Sequence, residues 1–182
     1  CVMSHILLGV SASVAVYKAC DLASKLAQAG HDVRAVLTHN AAKLISPQLF
    51  AAVTGQDAQT SEFGDQARSA MDHIDLARWA DAVVIAPCTA SLLGRLAHGM
   101  GDDLLTTAVL ATDPSTPRLL APAMNPTLLA QRAVQANLSL LREDGWHVVD
   151  PEAGHMACGE SGTGRLADPA QIAARVHELL HG

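Results

Sequence analysis

Aromatic rings and positive charge are both scarce in this sequence. Aromatic residues make up 3% of the 182 residues, and the formal net charge is −6. Nucleic-acid binding requires basic patches against phosphates and rings on which bases stack. The composition therefore predicts that nucleic acid is not a partner.

Long apolar runs are also missing. No uninterrupted run approaches the ~20 residues of a membrane span, although 49% of the residues are hydrophobic and only 16% are charged. We therefore expect no membrane partner, and we assign the surplus apolar surface to contacts between subunits. The apolar start at residues 6–10 is short and lacks the basic flank of a signal peptide, so we expect a cytoplasmic protein.

Paired cysteines are the third absence. Cys1, Cys20, Cys88 and Cys158 are widely spaced, with no C-x-x-C pair. This spacing favours a reducing compartment and argues against a disulfide framework or a structural zinc. The nine histidines are interpreted as scattered, without metal-ligand spacing, so no metal is expected.

A G-x-G-x-x-G dinucleotide fingerprint is absent as well, but the chain opens with a βαβ pattern. Residues 5–10 and 32–37 predict buried strands, and residues 14–29 between them predict a helix. This order implies a parallel sheet with a right-handed crossover. The turn at residues 9–13, GVSAS, offers hydroxyls and helix N–H groups that suit a phosphate. A simple helix cap at Ser13 and a phosphate ligand require the same geometry, so both interpretations stay open.

Two further predicted strands end at the same edge of the sheet. Residues 82–86 form a buried run, and the small polar residues that follow, PCTAS at 87–91, repeat the logic of the first turn. Residues 119–121 predict a strand that Pro122 ends. Asn125 then lies between two prolines at the carboxyl end, where open α/β sheets bind ligands. Because Asn is also a common turn and cap residue, the segment alone supports the two interpretations about equally.

The remaining pattern completes a single domain. Residues 104–111, 127–144 and 169–181 predict helices, residues 146–149 a last strand, and residues 55–70 a long polar surface connection. Four glycines between residues 154 and 164 cannot form regular structure cheaply. We interpret this segment, which carries Cys158 and Arg165, as a mobile flap.

Six segments match one family in the same order along the chain: GVSASVAVYK at 9–18, DHI at 72–74, APCTA at 86–90, GDDLLTT at 101–107, PAMN at 122–125 and ACGESGTGR at 157–165. The chain thereby resembles the homo-oligomeric flavin-containing cysteine decarboxylases, and among them most closely those that act on phosphopantothenoylcysteine in coenzyme A biosynthesis. One motif departs from the family: its proline–methionine–asparagine usually continues to methionine–tryptophan, where this chain has PTLL at 126–129.

The resemblance implies a doubly wound, flavodoxin-like (Rossmann-like) three-layer α/β sandwich, with residues 1–182 as one flavoprotein decarboxylase domain. It further implies a homo-oligomer, a trimer or a dodecamer, with FMN bound between subunits. Ser11, Ser13 and Thr38 would hold the phosphate, and Phe50 would pack on the flavin from its own or a neighbouring subunit. The full set of implied cofactor residues is Ser11, Ser13, Thr38, Phe50, Thr89, Ser91, Asp103 and Ala121.

Decarboxylation needs an electron sink for the α-carbon. Pyridoxal phosphate would need a Schiff-base lysine, and Lys18, Lys25 and Lys43, the only lysines, all lie outside loops that look catalytic. A flavin can instead oxidise the substrate thiol to a thioaldehyde. CO₂ then leaves to give an ene-thiol, and the electrons return.

The resemblance also assigns the catalytic roles for a small cysteine-containing substrate. His73, which alone would more often be a solvent-facing histidine, would be the acid/base residue. Asn125 would hold the carboxyl end, and Cys158 would protonate the ene-thiol. The implied substrate-binding residues are Met124, Asn125, Gly159 and Arg165.

Three alternatives are weighed against this interpretation. A flavin prenyltransferase shares the fold but does not need the PAMN segment or the flap cysteine. A peptidyl-cysteine decarboxylase that tailors ribosomal peptides typically lacks that cysteine. A regulatory flavin-fold subunit would not need His73, Asn125 and Cys158 together.

Overall fold

A five-stranded parallel sheet with strand order β2-β1-β3-β4-β5 forms the centre of the fold. The structure is a computed structural model and describes residues 3–63, 71–155, 159 and 161–182. The strands are β1 (His5–Val10), β2 (Asp32–Leu37), β3 (Ala82–Cys88), β4 (Arg118–Pro122) and β5 (His147–Val148). This order is that of flavodoxin-like folds, so the predicted doubly wound architecture is confirmed.

Helices cover both faces of the sheet. They are α1 (Val16–Gln28), α2 (Pro47–Thr54), α3 (Asp72–Trp79), α4 (Ala90–Ala97), α5 (Leu104–Ala111), α6 (Pro126–Leu129), α7 (Arg132–Glu143) and α8 (Pro169–His181), with a 3-10 turn at Ala41–Lys43. Side chains alternate across each strand, so Ile6 and Leu8 pack with α1, α2 and α8, whereas Leu7 packs with α3, α4, α5 and α7. Two apolar layers therefore enclose the sheet. In the described part of the chain, no helix combines the length and apolarity needed to cross a membrane.

The predicted helix at 127–144 is two helices. Gln131 adopts an extended conformation with a ψ of 133° and separates α6 from α7. The Gln135 side-chain amide donates to the Leu129 carbonyl at 2.6 Å. This hydrogen bond satisfies a carbonyl group at the C-terminal end of α6. The apolar periodicity continues across the break, so the sequence pattern did not reveal it.

The glycine-rich segment forms regular structure where the sequence predicted a flap without it. Strands β6 (Glu152–His155) and β7 (Ser161–Arg165) pair as an antiparallel ribbon. A Cβ on Gly164 would lie 2.1 Å from the Met124 carbonyl oxygen, and the Met124 N–H donates to the Gly164 carbonyl at 3.0 Å. Glycine thus lets β7 lie directly against the chain after β4. Cys158 lies outside the described residues.

The polar connection after α2 is only partly a surface loop. Gln59 is buried and forms a parallel β-bridge with Val36 of β2. Its side-chain amide donates to Asp72 Oδ2 at 3.1 Å. This contact ties the connection to the first turn of α3. Residues 64–70, also predicted as surface connection, lie outside the described residues.

Candidate functional site

A cavity of about 660 Å³ opens at the carboxyl edge of the sheet, where the loops after β1, β2 and β3 meet. We call it the switch-point cavity, because β1 and β3 are neighbours whose following helices, α1 and α4, cover opposite faces of the sheet. Ligands bind at such points in open α/β sheets. Eight residues predicted from the sequence line it: Ser11, Ser13, Thr38, Thr89, Ser91, Asp103, Met124 and Asn125.

Ser11 holds two walls of this cavity together. Its side chain is buried; the hydroxyl donates to the Pro87 carbonyl at 2.7 Å and accepts from the Thr89 N–H at 3.0 Å. The turn after β1 is thereby fixed to the turn after β3. The serine is hydrogen-bonded within the fold as well as facing the cavity.

Three other hydroxyls accept hydrogen bonds from backbone N–H groups at the cavity, and one of them, that of Thr89, caps α4. Ser13 Oγ accepts from the Ala15 N–H at 3.3 Å, and Thr89 Oγ1 accepts from the Leu92 N–H at 3.4 Å. Thr38 Oγ1 accepts from the Ala41 N–H at 3.3 Å. The N-termini of α1 and α4 therefore converge on one space, and each carries partial positive charge. This arrangement suits a phosphate.

Arg95, Asp102 and Asp103 form an ionic part of the cavity wall. The Arg95 guanidinium donates to Asp102 at 2.8 Å and to Asp103 at 2.7 Å. The hydrogen bond from Arg95 lowers the pKa of Asp102. Asp103 also accepts from the Thr106 N–H at 2.8 Å and caps α5, so its position is fixed from two directions.

A second cavity of about 450 Å³ adjoins the first. Lys18, His155 and Arg165 line it, and its described lining contains no acidic residue, so we call it the basic cavity. Lys18 Nζ donates to the Leu166 carbonyl at 3.1 Å, which holds the ammonium group at the wall. The charge of this cavity favours an anionic ligand.

Asn125 lines both cavities, as does Met124. The Asn125 side-chain oxygen accepts from the Thr127 N–H at 2.7 Å and caps α6. The two interpretations of this residue are therefore compatible, since the cap fixes an amide that lies where a ligand would cross from one cavity to the other.

His73 does not line either cavity. It lies in the first turn of α3, half-buried, with its ring paired to the Glu62 carboxylate. Helix α3 ends at Trp79, and β3 begins at Ala82 at the amino edge of the sheet, so the end of α3 lies near that edge. The start of α3 therefore lies toward the carboxyl edge. His73 is thus on the cavity side of the sheet but outside the cavity walls of its own chain.

Phe50, which the resemblance places on the flavin, lines neither cavity. Its ring is 0% exposed and packs in the core beneath α2, so it presents no surface to a flavin in its own or a neighbouring subunit. Ala121 is likewise buried within β4. Gly159 has a φ of 86° and lines neither cavity.

The sequence pattern of the Flavoprotein family matches residues 2–181. The chain belongs to the flavoprotein family. Among curated relatives, the coenzyme A biosynthesis bifunctional protein CoaBC of Bacillus subtilis (strain 168) is 44% identical over 168 residues, which are 92% of this chain and 41% of the relative. This flavoprotein chain therefore spans about two fifths of the length of the curated relatives it matches.

Solved structures cover the whole length of this flavoprotein. A PPC decarboxylase variant complexed with pantothenoylaminoethenethiol superposes with a TM-score of 0.86 at 30% identity, covering 99% of this chain and 100% of that one. The FMN-dependent cysteine decarboxylase SpaF gives a TM-score of 0.81 at 33% identity and 97% coverage of both chains. The resemblance indicated by the sequence motifs is confirmed.

The sequence reasoning missed two cationic residues of this flavoprotein. Arg95 follows Ser91 by four residues on α4, and such a spacing puts both on one helix face, so the signal was present. The sequence position of Lys18 argues against a Schiff-base lysine but does not indicate that it faces a ligand cavity. Cys88, although within a matched motif, is fully buried; burial raises the pKa of its thiol to about 12, which leaves it unreactive.

The histidines are less scattered than predicted. His31, His177 and His181 place one ligating nitrogen each within 4.8 Å of one another. His177 and His181 are four residues apart on α8, which is a recognised metal-ligand spacing. His31 joins them only because α8 packs against the end of α1, which the sequence does not show.

Proposed function

We propose that this flavoprotein catalyses the FMN-dependent decarboxylation of the cysteine carboxyl group of phosphopantothenoylcysteine to give phosphopantetheine. The observation that carries the proposal is the pair of adjoining cavities, one lined by helix N-termini and hydroxyls and the other basic, with Asn125 between them. The names of its relatives in coenzyme A biosynthesis support the same substrate. We place the reaction in the cytoplasm, since Cys20 and Cys88 are unpaired thiols.

The switch-point cavity fits FMN. Ser13, Thr38 and the N-termini of α1 and α4 would hold the phosphate, and Ser91 and Asp103 would line the ring. Asp103 is fixed by Arg95 and by its helix cap, which makes it a rigid acceptor. Bound FMN would take two electrons from the substrate thiol and return them after CO₂ has left.

The basic cavity would hold the substrate. Lys18 and Arg165 face the space where the substrate phosphate would bind, and charge-assisted hydrogen bonds to phosphate are strong. Asn125, fixed by its cap, would orient the carboxylate beside the flavin cavity. Met124 would pack on the same segment of the substrate.

Subunit contacts would complete the site. Val14, Tyr17 and Leu128, all at the cavity walls, are 71%, 64% and 49% exposed, and Phe63 and Met71 near His73 are exposed as well. Apolar surface of this kind marks an interface. We infer that a neighbouring subunit in a trimer, or in a dodecamer of four trimers, brings His73 to the cavity as acid/base residue, with Cys158 as the second proton donor.

An assay of the purified protein tests the function. With FMN bound, phosphopantothenoylcysteine should yield CO₂ and phosphopantetheine, identified by mass spectrometry. A peptide with a C-terminal cysteine is the competing substrate. Turnover of the peptide alone would assign the protein to peptide tailoring, and a protein that takes up no FMN would remove the proposal entirely.

Lys18→Met should raise KM for the phosphorylated substrate with little change in kcat. A hydrogen bond to a charged group contributes about 1.5–3 kcal/mol, or roughly 10- to 100-fold in KM. Pantothenoylcysteine without the phosphate should show no such loss. Lys25→Met is the matched control, because Lys25 pairs with Asp21 on the same helix and lies outside the basic cavity. An equal KM increase for both substrates would contradict the phosphate contact.

Mixed oligomers test whether the site is shared. If each site combines Asn125 of one subunit with His73 of the next, inactive His73→Asn and Asn125→Ala proteins should regain activity when unfolded and refolded together. Some sites in the mixture then receive both intact residues. Light scattering should show trimers or their multiples. Mixtures as inactive as the parents, or a monomer at micromolar concentration, would show that each chain forms its own site.

A further inference from the structure

Three imidazoles meet at the edge of the sheet opposite the cavities. His31 lies between α1 and the start of β2, and His177 and His181 lie in the last turns of α8. The His177 and His181 ring centroids are 4.5 Å apart, and those of His31 and His181 are 6.3 Å apart. Their ligating nitrogens all lie within 4.8 Å of one another.

The packing of α8 fixes this arrangement. Ile172 and Val176 are buried in the same apolar layer as Leu26 of α1 and Val33 of β2. Val176 directly precedes His177, so the helix cannot rotate its histidines away without exposing its apolar face. The cluster is therefore a property of the core packing and not of one surface helix.

His31 provides a second, independent indication of a ligand. Its side chain is 6% exposed, and its Nδ1 is buried without a hydrogen-bond partner. A buried polar atom left unpaired costs about 1–3 kcal/mol, and such atoms in native proteins have a partner in the great majority of cases. The imidazoles of His177 and His181 lie close to the His31 side chain.

We propose that His31, His177 and His181 bind one divalent transition-metal ion per chain, of the zinc, nickel or copper class, with solvent as the remaining ligand. Imidazole nitrogen suits these ions. Tetrahedral zinc with Zn–N distances of about 2.0–2.1 Å places its ligand nitrogens roughly 3.3 Å apart. Because His177 and His181 are exposed, their rings can turn inward toward the fixed His31.

The three histidines would bind the ion without catalysing a reaction on it. His177, Glu178 and His181 have the H-E-x-x-H spacing of metallohydrolases, in which the glutamate is the general base. Here Glu178 Oε2 accepts from Arg175 at 2.7 Å on the helix surface, so the carboxylate is engaged elsewhere. A bound ion would link the last turn of α8 to the α1–β2 connection and stabilise the folded chain.

Titration calorimetry of the tag-free protein, stripped with chelator and desalted, tests the site with ZnCl₂ and NiCl₂. We expect one ion per chain and a thermal denaturation midpoint that rises with metal concentration. His177→Gln and His181→Gln should each weaken metal binding on the order of 100-fold. Removing a direct ligand should cost at least as much metal affinity as removing an outer-shell partner of a ligand. His98→Gln, at an exposed histidine that directly follows α4, is the matched control and should bind as the parent does.

Both helix histidines are exposed, so their variants should fold even if His31→Gln does not, and circular dichroism verifies this. Binding that is equally strong in the His177→Gln and His181→Gln proteins would overturn the site. So would a parent protein that shows no saturable binding at millimolar metal. FMN content and decarboxylation do not enter this test, which is therefore independent of the proposed function.

Discussion

The His73→Asn protein should retain FMN and lose decarboxylation by about 10²- to 10⁴-fold in kcat, the range that an acid/base residue typically contributes. His73 lies on α3, outside the walls of the switch-point cavity, so cofactor binding should not depend on it. Asparagine keeps a polar side chain of similar reach but does not transfer protons at neutral pH. The flavin absorption spectrum reports binding, and CO₂ release under saturating substrate reports kcat.

Two variants sharpen this experiment. Glu62→Gln keeps a hydrogen-bond acceptor beside the His73 ring but removes the charge of the paired carboxylate, so we expect a smaller loss than for His73→Asn. Arg78→Gln, exposed on the same helix, should behave as the parent. Activity of His73→Asn within a few-fold of the parent would rule out the acid/base role.

Replacing Cys158 with serine should separate the two halves of the reaction. A hydroxyl is a far weaker acid than a thiol, whose reference pKa is ~8.5, so the return of electrons to the ene-thiol would lack its proton donor. Oxidation of the substrate thiol and loss of CO₂ do not need that proton. The variant should therefore release CO₂ and accumulate the unsaturated product, which lacks two hydrogen atoms relative to the saturated thiol.

Mass spectrometry of the product under limited oxygen distinguishes this outcome from a change in loop structure. A structural effect would lower CO₂ release and saturated product together. Cys20→Ser is the matched control: Cys20 lies on α1, half-buried, with its thiol directed at the Leu49 carbonyl, and the product should remain saturated. Normal formation of saturated thiol by the Cys158→Ser protein would make that cysteine a bystander and return the peptide decarboxylases to consideration.

Much of the fold was predictable because its signals are local. The buried runs of β1, β2 and β3 and the helices at 104–111 and 169–181 were assigned from a few consecutive residues and are confirmed. The hydroxyl turns were predictable for the same reason, since parallel strands carry their following loops to one edge. Ser11, Ser13, Thr38, Thr89 and Ser91 therefore reach one cavity, although their roles toward a ligand stay predictions.

Contacts between distant segments were decided only by the tertiary structure. The glycine pattern at 154–164 predicted a segment without regular structure, but β6 pairs with β7 and Gly164 lies close to Met124. Phe50 was expected at the cofactor, and the packing of α2 buried it.

The sequence by itself determined the order along the chain of the strands in the parallel sheet, the helices at 104–111 and 169–181, the polar turns and the family of this protein. It could not determine which side chains face one another across elements far apart in the chain. Lys18 and Arg165 line one cavity, and His31 lies beside His177 and His181 because apolar burial fixes α8 against α1. A local pattern records which face of an element is apolar, whereas the partner of that face is chosen by the packing of the whole core.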